Sequence, residues 1–142
     1  MAAIPLKDLY RLYQKIGRKL TTGNCVTCGV RQIKDGGHFI PKTQHPSLAF
    51  LVMNIHGQCG HCNFHNFGEQ WRMGCYIEER FGMAHQIEEW RSIKKVWSKK
   101  DREILLEWGE WALGLAEQEQ GEDMRKFLHK CQINLEVYKF LR

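Results

Sequence analysis

The sequence predicts an α+β protein in three parts: a basic helix over residues 1–21, a turn-rich core over 22–82 stapled by a metal, and a helical extension over 83–142. Three observations carry that division. Four cysteines fall in two Cys-x-x-Cys pairs, Cys25/Cys28 and Cys59/Cys62, with 30 residues between them. Apolar residues before the first pair recur at helical spacing, and so do those towards the C-terminus. The stretch between the pairs has no such period and is rich in turn residues.

The first helix is expected over residues 5–20. Leu6, Leu9, Tyr10, Tyr13, Ile16 and Leu20 recur on one face. Pro5 suits the first turn, where a missing N–H leaves no bond unmade. Thr21-Thr22-Gly23-Asn24 ends the helix and opens the first cysteine pair. In the core, Asp35-Gly36-Gly37 reads as a hairpin turn or bulge between short strands over 30–33 and 38–40. The apolar run over 48–55 is expected to pack under the metal. A helix starts at Asn63, breaks near Phe67-Gly68, resumes over 69–81 and stops at Gly82 as its C-terminal cap. Met83, Ile87, Trp90, Lys94 and Trp97 mark one further helix. Ser98 and Asp101 resemble a capping box that opens the next, striped by Ile104, Trp108, Trp111, Ala112 and Leu115. Gly121 sits in an acidic break, after which Met124, Phe127, Leu128, Cys131, Leu135 and Tyr138 stripe a last helix.

A Cys-x-x-Cys turn lets two sulfurs reach one ion at about 2.3 Å each. Two such turns complete a tetrahedron with no open position, so the expected Zn²⁺ is structural. Incidental thiols or a redox pair would account for one such turn but fit two matched ones poorly. Cys75 and Cys131 fall in helical patterns and read as small buried apolar residues.

The formal charge is +5, with a pI near 8.9. Four thiolates and a dication would lower it by two, to about +3. That mild excess suits a nucleic-acid partner. No stretch reaches the length of a membrane span, and the N-terminus lacks signal architecture. A reducing, cytoplasmic setting with no membrane partner is therefore expected, where paired cysteines are metal ligands more often than disulfides.

Five of the seven histidines lie between residues 38 and 65. Such a cluster beside a structural zinc suggests a second, catalytic site. Hydrolysing a phosphodiester needs a base for water, a cation at the leaving oxygen and groups that align them. Histidine suits the base because its pKa lies near neutrality. Carboxylates, amide oxygens or imidazoles can hold the cation. Each residue also has a plain reading. His38 could be a strand-end packing residue, Asn54 a turn residue, and His56 and His65 packing or capping residues. His61, inside the second pair, is expected to face solvent. His45, His85 and His129 read as surface or packing residues.

Cys25-x-x-Cys28, Gly37-His38-Phe39, Asn54-Ile55-His56-x-Gln58-Cys59-x-x-Cys62-Asn63-x-His65 and Gly68 together resemble the phage lambda NinG (Rap) recombination endonucleases. That family sits within the wider HNH, or ββα-metal, nucleases, which include phage T4 endonuclease VII. The resemblance covers roughly residues 22–82 and rests on the combination of motifs. It implies a zinc-bound HNH-like nuclease core, and a DNA endonuclease that cuts branched recombination intermediates such as Holliday junctions or D-loops with Mg²⁺ or Mn²⁺. It also implies a phage or prophage protein at work in the bacterial host cytoplasm. By position it makes His38 the general base, Asn54 the residue that orients it through backbone contacts, and Asn63 a ligand of the catalytic metal. His56 and His65 match histidines of the NinG-type pattern and would be ligands or phosphate contacts. One departure stands out. Most HNH enzymes place Asp directly before the base, and here that residue is Gly37, as in NinG-like proteins. Asp35 would substitute if the hairpin bulges.

Lys7, Arg11, Lys15 and Arg18 recur at near four-residue steps, a row that can track a phosphate backbone or simply form a solvated face. Lys42 and Arg72 lie near the expected site and would add phosphate contacts. No base-reading motif is present, so DNA shape is the expected target. Trp90, Trp97, Trp108 and Trp111 suit a helical core or the interface of a homodimer, whose two-fold symmetry would match a branched junction, with stacking on splayed bases as the sharper alternative. Two other function classes compete: a non-catalytic zinc-stabilised DNA-binding protein, and a protein-interaction scaffold.

Overall fold

A computed structural model of the chain describes residues 2–65 and 70–141, the side chain of residue 65 excepted. Helix α1 spans Leu6–Leu20 and follows an extended Pro5. Its apolar face is fully buried at Leu9, Tyr13 and Ile16, as the spacing predicts. At its end Thr21 leaves the helix and donates its hydroxyl to the Gly17 carbonyl, 2.8 Å away.

Strand β1 is Asp35–His38 and strand β2 is Ile55–Gln58. They pair antiparallel, with Asp35 opposite Gln58 and His38 opposite Ile55. This corrects the expected hairpin: the glycines are the strand itself, and residues 30–33 form none. The reason is a close approach. A side chain on Gly36 would run into the Gln14 carbonyl of α1, so glycine lets the helix backbone lie on the strand.

Two short 3₁₀ turns, Pro46–Leu48 and Val52–Asn54, lead into β2. The run from Leu48 to Met53 is buried, but not under the cysteines. It joins the main hydrophobic core, whereas Cys25, Cys59 and Cys62 form a separate cluster with Cys28. The irregular backbone there takes its hydrogen bonds from helix α5, Glu122–Ile133. Gln132 accepts from Val52 N–H at 2.8 Å and donates to the Phe50 carbonyl at 2.6 Å. The guanidinium of Arg125 donates to the carbonyls of Val52, Ile55 and Gly17 and to Thr21 Oγ1, at 2.6–3.0 Å. Buried carbonyls that no ladder satisfies need such partners. The inner face of α5 is accordingly Arg125, Leu128, His129 and Gln132, not the purely apolar stripe expected, and Phe127 is half exposed.

After β2 comes one π-helical turn, His61–His65. The expected break at Phe67-Gly68 lies outside the described residues. Helix α2, Gln70–Phe81, ends at Gly82, whose φ of 64° is the left-handed cap conformation. Helix α3 is only Ala84–Trp90. The chain beyond it is not helical, because Trp97 is anchored elsewhere: its Nε1 donates to the Pro46 carbonyl at 2.8 Å and its ring meets Phe50 and Tyr138 edge-on. Helix α4, Lys99–Gln118, opens with the expected capping box. It closes onto α1 where Gly109 faces Leu12 and Tyr13, and Tyr13 donates its hydroxyl to the Leu105 carbonyl at 2.6 Å. Helix α1 thus lies between the sheet and α4. Among the described residues no helix is long and apolar enough to cross a membrane.

Candidate active site and metal centre

The sulfurs of Cys25, Cys28, Cys59 and Cys62 all lie within 4.8 Å of one another. Cys28 and Cys59 sulfurs are 4.0 Å apart, far beyond a disulfide bond of about 2.05 Å. Four thiolates around one zinc at about 2.3 Å would stand about 3.8 Å apart. The cluster therefore fits a structural metal such as zinc, closed to solvent chemistry. The backbone N–H groups of Arg31 and Val30 draw the Cys28 thiol down to about 6. Burial pushes the Cys62 thiol up, a cost that a bound dication reverses.

His38 ends β1. Its Nε2–H donates to the Ala49 carbonyl at 2.8 Å. A carbonyl only accepts, so the tautomer is fixed and Nδ1 keeps its lone pair. Burial, reinforced by the charge of Lys42, pulls the ring down to about 4, against a partial lift from the Ala49 bond. At neutral pH His38 is an uncharged base. It lines a cavity of about 160 Å³ with Asn63, Lys42 and Gln70.

Asn54 is fully buried and holds the chain that leaves β1. Its Oδ1 accepts from Ile40 N–H at 2.8 Å, and its Nδ2 donates to the carbonyls of Ile40 and Leu48 at 3.0 Å. Its own carbonyl accepts from Phe39 N–H at 2.9 Å. Phe39 and Ile40, the two residues after His38, are thereby pinned to the 3₁₀ turn that ends at Asn54.

A second cleft, about 340 Å³, adjoins the first and shares Gln14, Gly36 and Asn63 with it. Arg11, Lys15 and Arg18 of α1 and Lys34 line it, with Asp35 on the same wall. Asp35 Oδ2 is buried without a hydrogen-bond partner among the described residues. Three of the four cations in the expected row therefore meet Asn63 and Asp35 in one place. Lys7 sits a turn outside it, and Arg72 lines another cavity beside the first cysteine pair.

Gly37 has a physical explanation. A side chain there would run into Gln58 Oε1, with Asn63 Oδ1 3.2 Å away. The amide of Gln58, fully buried and donating to Thr27 Oγ1 at 2.7 Å, occupies the space an aspartate would need. Nothing in residue 58 taken alone marks it; only the strand register, Asp35 opposite Gln58, brings it here.

His56 is not brought to this cavity. It is fully buried, donates from Nε2 to the Met53 carbonyl at 2.7 Å and packs against Tyr76 and Phe81. Burial and the charge of Arg125 hold it well below the usual histidine range. It packs in the core, with Nδ1 buried and without a hydrogen-bond partner among the described residues, and does not line the His38 cavity. The side chain of His65 lies outside the described residues. Cys75 is exposed, contrary to expectation, and His129 is buried in the core.

A two-stranded core beside four clustered cysteines that could hold a structural metal, with a buried histidine in a cavity adjoining a cation-lined cleft, defines an α+β protein of small sheet and many helices. The chain belongs to the bacteriophage lambda NinG protein family, whose model matches residues 6–104, from the start of α1 into α4. Membership points to a phage recombination-related protein. No curated protein and no solved structure matches the chain.

Proposed function

We propose that the chain is a structure-specific DNA endonuclease that hydrolyses phosphodiesters in branched recombination intermediates. One observation carries this reading: the fixed, uncharged ring of His38 shares a cavity with Asn63, and that cavity adjoins the cleft of Arg11, Lys15 and Arg18. In this reading His38 Nδ1 takes a proton from water, which a base unprotonated at neutral pH can do. Asn54 is a positioning residue that acts through the backbone around residue 40. The α1 cations and Lys42 hold phosphates. In the His38 cavity Asn63 Oδ1 is an oxygen donor of the kind that Mg²⁺ or Mn²⁺ prefers, and the partnerless Asp35 Oδ2 belongs to the adjoining cleft. When bound, such an ion supplies charge stabilisation at the leaving oxygen.

The test uses the zinc-loaded protein with a four-way junction, a flap and a linear duplex, with and without Mg²⁺ or Mn²⁺. Cutting of the branched substrates only with added metal is expected. His38→Ala should abolish it while zinc content and melting stay near wild type. Equal cutting by the alanine variant removes the base assignment.

A second reading is a zinc-stabilised DNA-binding protein without catalysis. Gly37 favours it, since Gln58 excludes the carboxylate that most HNH enzymes carry there. It expects salt-sensitive binding to DNA and no metal-dependent cutting in the same assay.

A further inference from the structure

We propose that Phe64 is a stacking platform for an unpaired base at the branch point and sets the preference for branched over continuous DNA. This rests on the DNA reading above. Phe64 follows Asn63 in the turn after the second cysteine pair and is 73% exposed. It lines the cleft that holds Arg11, Lys15 and Arg18. Other exposed aromatic rings are placed differently. Trp111 and Phe127 pack against one another, with ring centroids 6.4 Å apart. Trp71 lines two cavities outside this cleft. Among the described residues, Phe64 is the one aromatic ring displayed within the cationic cleft.

Charge and spacing say what covers it. From Arg11 to Lys15 to Arg18 the cations rise along α1 over about 10 Å, at 1.5 Å per residue. That length matches about three nucleotides of one strand at 3.4 Å each. A strand on this row would carry its bases past Phe64. In a continuous duplex the faces of those bases are hidden in the stack, and only their edges show in the grooves. At a branch point a base can leave the stack and offer its face, which a planar ring accepts without regard to sequence.

The experiment measures binding by the zinc-loaded protein without Mg²⁺ or Mn²⁺. The probes are a four-way junction carrying 2-aminopurine beside the branch point and a linear duplex of the same length. Phe64→Ala should weaken junction binding by about 5- to 150-fold, the range for losing one base–aromatic stack. Duplex affinity should change less than about 2-fold, and the 2-aminopurine signal should lose its quenching. Phe64→Tyr should restore both readouts, and Trp71→Ala should leave them as in wild type. Equal loss on junction and duplex, or no loss on either, overturns the stacking role while leaving DNA binding intact. Wild-type protein that binds neither probe overturns the DNA reading, and this inference with it.

Discussion

The two ends of the molecule are held by different forces. Around Cys25, Cys28, Cys59 and Cys62 there is almost no apolar packing: the cysteines form their own cluster, apart from the main core. Around α1, α4 and α5 the opposite holds. Leu9, Tyr13, Ile16, Leu105, Ala112 and Leu128 are all fully buried, and two polar side chains of α5 supply the hydrogen bonds that an irregular run of backbone lacks. The stapled end would depend on chemistry that can be withdrawn, while the helical end depends on area removed from water. The catalytic candidates sit on the seam, with His38 on the strand and its neighbours pinned by Asn54.

The sharpest way to break the comparison is to withdraw the metal. Chelation or Cys59→Ser should release the zinc and unfold the segments around the two cysteine pairs, removing on the order of 10 kcal/mol of binding free energy that is also folding free energy. Hydrogen exchange should rise sharply around residues 25–34 and 57–62 and much less in residues 48–55, α4 and α5. Uniform loss of protection would mean that the two ends are one cooperative unit.

Arg125→Leu tests the other end. It leaves the carbonyls of Val52, Ile55 and Gly17 short of donors. A loss of about 3–5 kcal/mol is expected in denaturant unfolding, with zinc content unchanged. A variant that melts like the parent would show that the carbonyls find other partners.

Acid should act on both ends through buried imidazoles. His38 and His129 are each held down to about 4 by burial, against about 6.5 when unfolded. The unfolded chain binds more protons between those values. Their contribution is fully present above about pH 6.5 and is lost as pH falls towards 4, by up to about 3 kcal/mol for each group. His129→Leu should flatten the slope of stability against pH across that window. An unchanged slope would remove His129 from the acid response and leave it to His38, His56 or the cysteine site.

The smallest effect belongs to the start of α4. Ser98→Ala removes the hydroxyl that accepts from Asp101 N–H at 3.1 Å. About 1 kcal/mol should be lost in thermal melting, with no effect on metal content.

The sequence made some of this legible. The cysteine pairs, the N-terminal helix, the cap at Gly82 and the capping box at Ser98 each follow from local chemistry at fixed spacing, and the structure has them all. What failed was decided by partners distant in sequence. Asp35-Gly36-Gly37 carries every mark of a turn, and only the approach of α1 makes it a strand. Arg125 and Gln132 fall outside the apolar stripe read for their helix, and only the backbone of residues 50–55 that they hold explains their burial. His56 sits in a motif full of candidate ligands, yet its position opposite Gly37 turns it towards Tyr76 and Phe81. At the candidate site, His38, Asn54 and Asn63 could be picked out in sequence because they flank the cysteine motif. Gln58 stands in the same motif, but its role against Gly37 follows only from the fold, and Phe64 takes its place from the cations of the cleft it lines.

Gly36 has one last consequence. Because no side chain separates the strand from the Gln14 carbonyl, α1 cannot pivot or slide without breaking that contact. The interval between the cations of α1 and the imidazole on β1 is then a fixed length, built into the backbone. Under the proposed reading such a rigid gauge would place every incision at the same offset from the bound phosphates, whatever the sequence of the strand.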